Sequence, residues 1–195
     1  GIVIPKVDSA KELKKIEKII SNLEKKRKLK KIRLIPSIES ALGVINCYEI
    51  ASASKRIDAI VFGIFDLLND MQIEYTKGNP VGGKYSRYKV PVAAAAAGIP
   101  AIDGIWQEIK DKKGLEQDCK LGKELGYSGK SIIHPDQIEI THKTFHPNSS
   151  EITWSKLVVK KYEKSTKKGR GAIVIDGKMI DEVHYKRAKA LLEII

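Results

Sequence analysis

Two carboxylates, Glu39 in LIPSIES and Asp66 in VFGIFDL, are the residues of this sequence best placed to do chemistry together. Each follows a short apolar run that reads as a β-strand. Each therefore falls at a strand's carboxyl end, where parallel α/β folds collect their ligands. Adjacent strands bring such ends to about 5 Å apart, so the two carboxylates can share one hard divalent cation. Mg²⁺ takes one or two protein carboxylates and leaves its other positions to water and substrate oxygens. No cysteine–histidine cluster competes for a softer metal. Two further strand ends carry polar residues, Asp103 in PAIDG and His134 in SIIHP. Any of the four can equally cap the helix that follows or join a buried polar network. The residues alone leave these alternatives open.

Positioning such a site requires strands and helices in alternation, and the chain supplies them. Residues 2–6, 32–38, 58–62, 100–103 and 131–134 read as strands, the third nearly all apolar, as expected of a strand covered on both faces. Helical patterns fill 9–28 (capped by Asp8 or Ser9), 41–53, a stretch through the alanines 93–97, and 114–125, stopped by Gly126. Residues 70–90, with Gly78, Pro80, Gly82 and Gly83, read as a long loop, and loops of that length inside compact domains are usually functional or mobile. Five successive βα units predict a parallel sheet. It belongs either to a doubly wound fold or to most of a (βα)8 barrel, and the pattern does not separate the two. No glycine-rich phosphate fingerprint follows the first strand. After Pro147 the character changes. Asn148 or Ser149 caps a helix to about 168, Gly169–Gly171 breaks it, a β-prone segment 172–175 meets a turn at Asp176–Gly177, and a last helix starts near Glu182. The expected division is an α/β body over 1–147 and an appendage over 148–195.

The bulk numbers narrow the class. A chain of 195 residues with 42% hydrophobic content buries a sizeable core, and 31% charged residues make it a soluble protein. No apolar run approaches the ~20 residues of a spanning helix, and GIVIPKV lacks the layout of a signal peptide. Cys47 and Cys119 are too few and too far apart for a disulfide framework or a zinc site, so a reducing cytoplasm is expected. The formal charge of +12 raises the question of nucleic acid. Its distribution answers mostly otherwise. Residues 11–33 hold eleven Lys/Arg against three Glu and 151–170 seven against two, interleaved with apolar residues at helical spacing. Solvated helix faces account best for that pattern, a phosphate-rich ligand such as coenzyme A next, and nucleic acid least, since no binding motif for it is present.

Six runs carry a family resemblance: IPKVDSAKEL, IPSIESALGVIN, RIDAIVFGIFDL, AAAAAGIPAIDG, LGYSGKSIIHPDQI and VIDGKMIDEVHYKRA. In order and with natural spacing, they resemble the citrate lyase β-subunit family of the HpcH/HpaI aldolase superfamily, which includes malyl-CoA and citramalyl-CoA lyases. The pair IES…FGxxDL and the C-terminal DGKMID are its specific parts. The resemblance implies a (βα)8 TIM barrel of the pyruvate/phosphoenolpyruvate type, here strands 4–8 only, followed by a C-terminal lid.

It further implies that Glu39 and Asp66 hold Mg²⁺, that backbone amides at Gly63, Ile64 and Phe65 receive the carboxylate of a 2-oxo acid, and that Asp181 is the acid/base. Asp181 is equally a natural N-cap for the last helix. The expected activity is carbon–carbon cleavage or formation in a 3-hydroxyacyl thioester, citramalyl-, malyl- or citryl-, carried on CoA or an acyl carrier protein. A homo-oligomer, a trimer or a multiple of one, would place the lid over a neighbouring subunit. A metal-dependent 2-oxo-acid aldolase and a non-catalytic CoA-ester-binding subunit are the other readings. The sequence departs from the family where it begins. Three βα units, about 90–100 residues, would precede the first strand and carry a substrate-clamping Arg. Five units alone would leave open strand edges and an open core.

Overall fold

In the computed structural model, the described residues are 1–77, 81–167, 169–193 and 195. They form two compact units, Gly1–Phe145 and His146–Ile195, the boundary two residues before the expected one.

The first unit follows the expected alternation: β1 (Ile2–Ile4), α1 (Ala10–Arg27), β2 (Leu34–Ile38), α2 (Ala41–Ile45), α3 (Cys47–Ala51), β3 (Ile60–Phe62), α4 (Ile64–Asp70), α5 (Lys84–Ala97), β4 (Ala101–Asp103), α6 (Lys112–Glu124), β5 (Gly129–Lys130) and α7 (Ile138–Phe145). All five strands pair in parallel and lie in sequence order, with no reversal. Strand alternation gives the sheet two unlike faces. Ile4, Leu34, Ile38, Ile60, Phe62 and Ala101 share one face and are buried with Leu13 of α1, Cys47 and Ile50 of α3, Leu67 of α4 and Val90 of α5. On the other face Val3 is exposed, and Ile35, Val61 and Ile102 are half-buried.

Local chemistry sets the element ends. Ser9, not Asp8, caps α1 by accepting from the Glu12 amide at 3.2 Å. The helix expected over 41–53 is two short helices. Asn46 separates them at φ −91°, ψ 7°, its amide side chain donating to the Asp8 carbonyl at 2.8 Å.

Two expectations are corrected. Residues 84–90, taken for loop, open α5. Of the rest of that stretch, Val81–Gly83 is one 3-10 turn, while Gly78, Asn79 and Pro80 lie outside the described residues. The last strand is Gly129–Lys130, not 131–134. The ladder ends where the Ser131 amide donates to the Asp103 carbonyl at 2.9 Å, and Pro135, which has no amide hydrogen to donate, starts a 3-10 turn.

The second unit comprises α8 (Ser149–Thr166), a hairpin of β6 (Ile173–Ile175) and β7 (Lys178–Ile180), and α9 (Glu182–Leu192). Asn148 and Glu151 form a reciprocal capping box at the start of α8. Asp176 and Gly177 both have positive φ, 49° and 75°, as a two-residue hairpin turn matched to strand twist requires. Val158, Tyr162, Ile175, Ile180 and Ala188 are this unit's own core. Lys168 and Ile194 lie outside the described residues. Among the described residues, no helix is long and apolar enough to cross a membrane.

Candidate functional site

The IES run divides its work among three neighbours. Ile38 is fully buried, Ser40 caps α2 by accepting from the Gly43 amide at 2.9 Å, and Glu39 projects between them. Ser40 also donates to the Asp8 carboxylate, and the first amide of α2, Ala41, donates to Asp70 at 2.8 Å. The strand end bearing Glu39 is therefore tied both to the start of α1 and to the end of α4.

The FGIFDL run is equally specialised. Phe62 and Leu67 anchor it in the core. The Gly63 amide donates to the Ile38 carbonyl at 2.9 Å, which sets the turn beside β2. A Cβ on Gly63 would collide with Cγ of Glu39, so glycine here is the space in which the Glu39 side chain lies. Phe65 stacks at a tilt on Tyr75 with ring centroids 4.9 Å apart. Asp66, in the first turn of α4, meets two groups. Lys6 places its ammonium 2.9 Å from Oδ1. That hydrogen bond is the main reason the Asp66 carboxyl ionises below its usual range. Burial opposes the shift, and the Lys6 charge and the neighbouring Glu39 side chain reinforce it.

Glu39, Asp66 and Lys6 thus converge although they come from three separate strand ends. Lys6 adopts φ 51°, a left-handed conformation uncommon for a residue with a side chain. Asp66 and then Glu39 raise its pKa. Sequence reasoning missed this lysine, and its one signal was a charge as the last residue of the expected strand 2–6, two positions past the end of β1. The donor set suits Mg²⁺: two carboxylates, hard oxygens only, and an ammonium already standing where a cation belongs. Among the described residues, no three or more His, Cys, Asp or Glu converge as a fuller metal cage.

The other strand-end candidates sit elsewhere. Asp103 is 1% exposed and faces the helices, held by Arg87 and Lys130. His134 accepts from the Asp136 amide at 3.2 Å and caps a 3-10 turn.

Asp181 caps α9. Its Oδ1 accepts from the amides of Val183 at 3.0 Å and His184 at 3.3 Å, and lies 2.7 Å from His184 Nδ1. Two formally close contacts of that ring nitrogen conflict. At 2.7 Å from a carboxylate oxygen it must carry the proton, so it is not an acceptor for the Asp181 amide at 3.4 Å. The bond from His184 is the main cause that lowers the Asp181 pKa. All three bonds fall on Oδ1, so capping leaves Oδ2 available. His184, three residues along, also escaped the sequence reading.

Comparison with known proteins places this arrangement among relatives. The chain is 35% identical over 196 residues to the citrate lyase subunit beta of Leuconostoc mesenteroides subsp. cremoris, a match covering 99% of this chain and 64% of that one. It is 31% identical over 191 residues to a (3S)-malyl-CoA thioesterase of Cereibacter sphaeroides, covering 98% and 63%. It spans just under two thirds of the length of these curated relatives. The solved structure of protein CitE from Mycobacterium tuberculosis, in complex with magnesium, acetoacetate and coenzyme A, superposes with a TM-score of 0.71 at 22% identity. That match covers 98% of this chain and 66% of the other, and shows a shared fold. The HpcH/HpaI aldolase/citrate lyase family matches residues 1–135, and the chain belongs to it.

Proposed function

We propose that this chain is part of a Mg²⁺-dependent carbon–carbon lyase that cleaves or forms a 3-hydroxyacyl thioester. The observation that carries the reading is the meeting of Glu39 and Asp66 over Gly63, balanced by Lys6. Two carboxylates side by side repel unless a cation lies between them. The metal, when bound, supplies Lewis-acid stabilisation of the oxygen charge that develops as the 2-oxo acid carbonyl forms.

Glu39 and Asp66 hold the metal on the carboxyl side of the strands. The backbone amides at Ile64 and Phe65 orient the carboxylate of the 2-oxo acid portion; the Gly63 amide, expected to join them, is instead taken by the Ile38 carbonyl. In cleavage the hydroxyl proton passes to water, the carbon–carbon bond breaks, and the acetyl thioester departs as its enolate, whose carbon takes a proton from the Asp181 carboxyl. Asp181 moves that proton. Its lowered pKa favours the carboxylate, the form needed to deprotonate the acetyl thioester in the condensation direction. The five strands are read as an arc of a (βα)8 barrel. The unit His146–Ile195 is read as a lid that serves a neighbouring subunit of a cytoplasmic homotrimer, or a multiple of one. The acyl carrier is CoA or an acyl carrier protein.

Mn²⁺ titration of the intact protein and of Glu39→Gln, paired with assays on malyl-, citramalyl- and citryl-thioesters with and without Mg²⁺, tests this. Metal-dependent cleavage lost with Glu39→Gln is expected. Equal metal binding by both proteins removes the basis of the reading, and turnover of free 2-oxo acids alone replaces it with the aldolase alternative.

A further inference from the structure

Four charged side chains are buried together on the helix-covered face of the sheet. Asp103 ends β4 and Lys130 ends β5 opposite it in register, while Arg87 reaches in from α5 and Asp118 from α6. Arg87 forks onto both oxygens of Asp103, Nε to Oδ1 at 3.0 Å, and its Nη1 donates to Asp118 at 2.7 Å. Lys130 Nζ bridges Asp103 at 3.0 Å and Asp118 at 2.5 Å. Burial works against the Arg87 charge, but Asp103 and then Asp118 outweigh it and hold its pKa above the usual arginine value. Two cations and two carboxylates close the set without net charge. Apolar packing of similar volume would often stabilise a fold as well or better, so stability is a weak explanation for burying four charges here.

What the network touches is specific. Gly104 directly follows Asp103. A Cβ on it would stand 3.1 Å from the Phe62 carbonyl oxygen and 3.3 Å from Cγ2 of Ile64, within the turn that leads to Asp66. Phe62 and Ile64 also line a cavity of about 20 Å³ together with all four charged residues. That is room for about one water molecule, and the close approach of Gly104 to Phe62 and Ile64 is what leaves no space for a side chain between β4 and the turn.

We propose that Arg87, Asp103, Asp118 and Lys130 are positioning residues for the Gly63–Asp66 turn. They pin the end of β4, and Gly104 is the seat on which the turn rests while Glu39 closes over its other side. The consequence for metal and substrate rests on the function proposed above; the mechanical coupling does not.

Two variants of the intact protein test it. Asp118→Leu with Lys130→Met removes one charge of each sign and leaves the Arg87–Asp103 fork. Gly104→Ala pushes the turn off its seat. Amide hydrogen exchange is read at Gly63 and Leu67, whose bonds to Ile38 and Gly63 close the turn, with Ile50, bonded to Asn46, as a distant reference. Exchange about tenfold faster at Gly63 and Leu67 with Ile50 unchanged is expected in both variants, together with weaker Mn²⁺ binding. Unchanged exchange at the turn, or an equal rise at Ile50, overturns the proposal. A loosened turn in a protein whose unaltered form binds no metal upholds the coupling and instead sinks the lyase reading.

Discussion

At the scale of single residues, Asp181 is where structure and proposed chemistry must share one side chain. Its three bonds converge on Oδ1 and leave Oδ2 for proton transfer, so a cap and an acid/base are compatible. Asp181→Asn keeps an amide oxygen for the Val183 and His184 amides but cannot exchange the proton. Thermal unfolding should barely change while turnover falls by roughly 10²–10⁴-fold; a fully active variant would leave Asp181 as a cap only. The pH dependence has a definite sign. The folded-state pKa of Asp181 is depressed, by His184 first, so the cap's contribution is present above the unfolded carboxyl value of about 3.9 and is lost as pH falls through the folded one. His184→Gln should raise the Asp181 pKa in an NMR carboxyl titration and move the loss of the α9 cap to higher pH. An unshifted titration would show that the imidazole does not hold the carboxylate.

At the scale of elements, the turn from β3 into α4 bears the site, and its glycine is the sensitive point. Gly63→Ala places a methyl group where Glu39 Cγ lies, so the carboxylate must swing away from Asp66. Mn²⁺ affinity should fall by about 10–100-fold, the usual cost of disturbing a ligand's support, and calorimetric titration measures it. Helix α5 explains why its first turns escaped the sequence reading. Ser86 and Arg87 point inward and are buried, while Tyr85, Tyr88 and Val92 are exposed, so the usual apolar-inside pattern is inverted. β5 repeats the lesson. Lys130 is buried within the strand, and the apolar Ile132 and Ile133 that suggested one lie beyond it, more exposed. Patterns of hydrophobicity mislead wherever a buried charge finds its counter-charge.

For the whole molecule, two compact units with separate cores predict two unfolding transitions instead of one. The two tryptophans make this measurable, since Trp106 lies in the first unit and Trp154 in the second. In a Trp106→Phe background, fluorescence follows the second unit alone. Ile180→Ala, in that unit's core, should destabilise its transition by about 2–5 kcal/mol and leave the circular-dichroism change of the first unit in place. Coincident transitions by both probes would mean that the units unfold together. The half-buried Ile35, Val61 and Ile102 and the exposed Val3 mark the sheet face that would line the interior of the proposed barrel.

Much was determined by the sequence alone, because it depends on neighbours in the chain. The parallel sheet followed from the alternation of apolar runs, while its strand order, left open between a doubly wound fold and a barrel, was decided by the structure. The turn at Asp176–Gly177 and the candidate caps, Asp8 or Ser9, Asn148 or Ser149, and Asp181, depend on contacts within a few residues, and the structure chose Ser9 and Asn148. The pairing of Glu39 with Asp66 was also legible, since successive parallel strands put their ends side by side. Only the tertiary structure decided which charges serve the site and which the core. Asp103 and Asp66 look alike in the sequence, each an aspartate at or shortly after a strand end with a glycine within three residues. Asp103 is claimed by Arg87, 16 residues away, and Lys130, 27 away, and it vanishes between sheet and helices. Asp66 is left on the open side with Lys6, 60 positions earlier, as its partner. A charge is buried only where counter-charges reach it, and those came from elements that only the packing of helices on the sheet brought together.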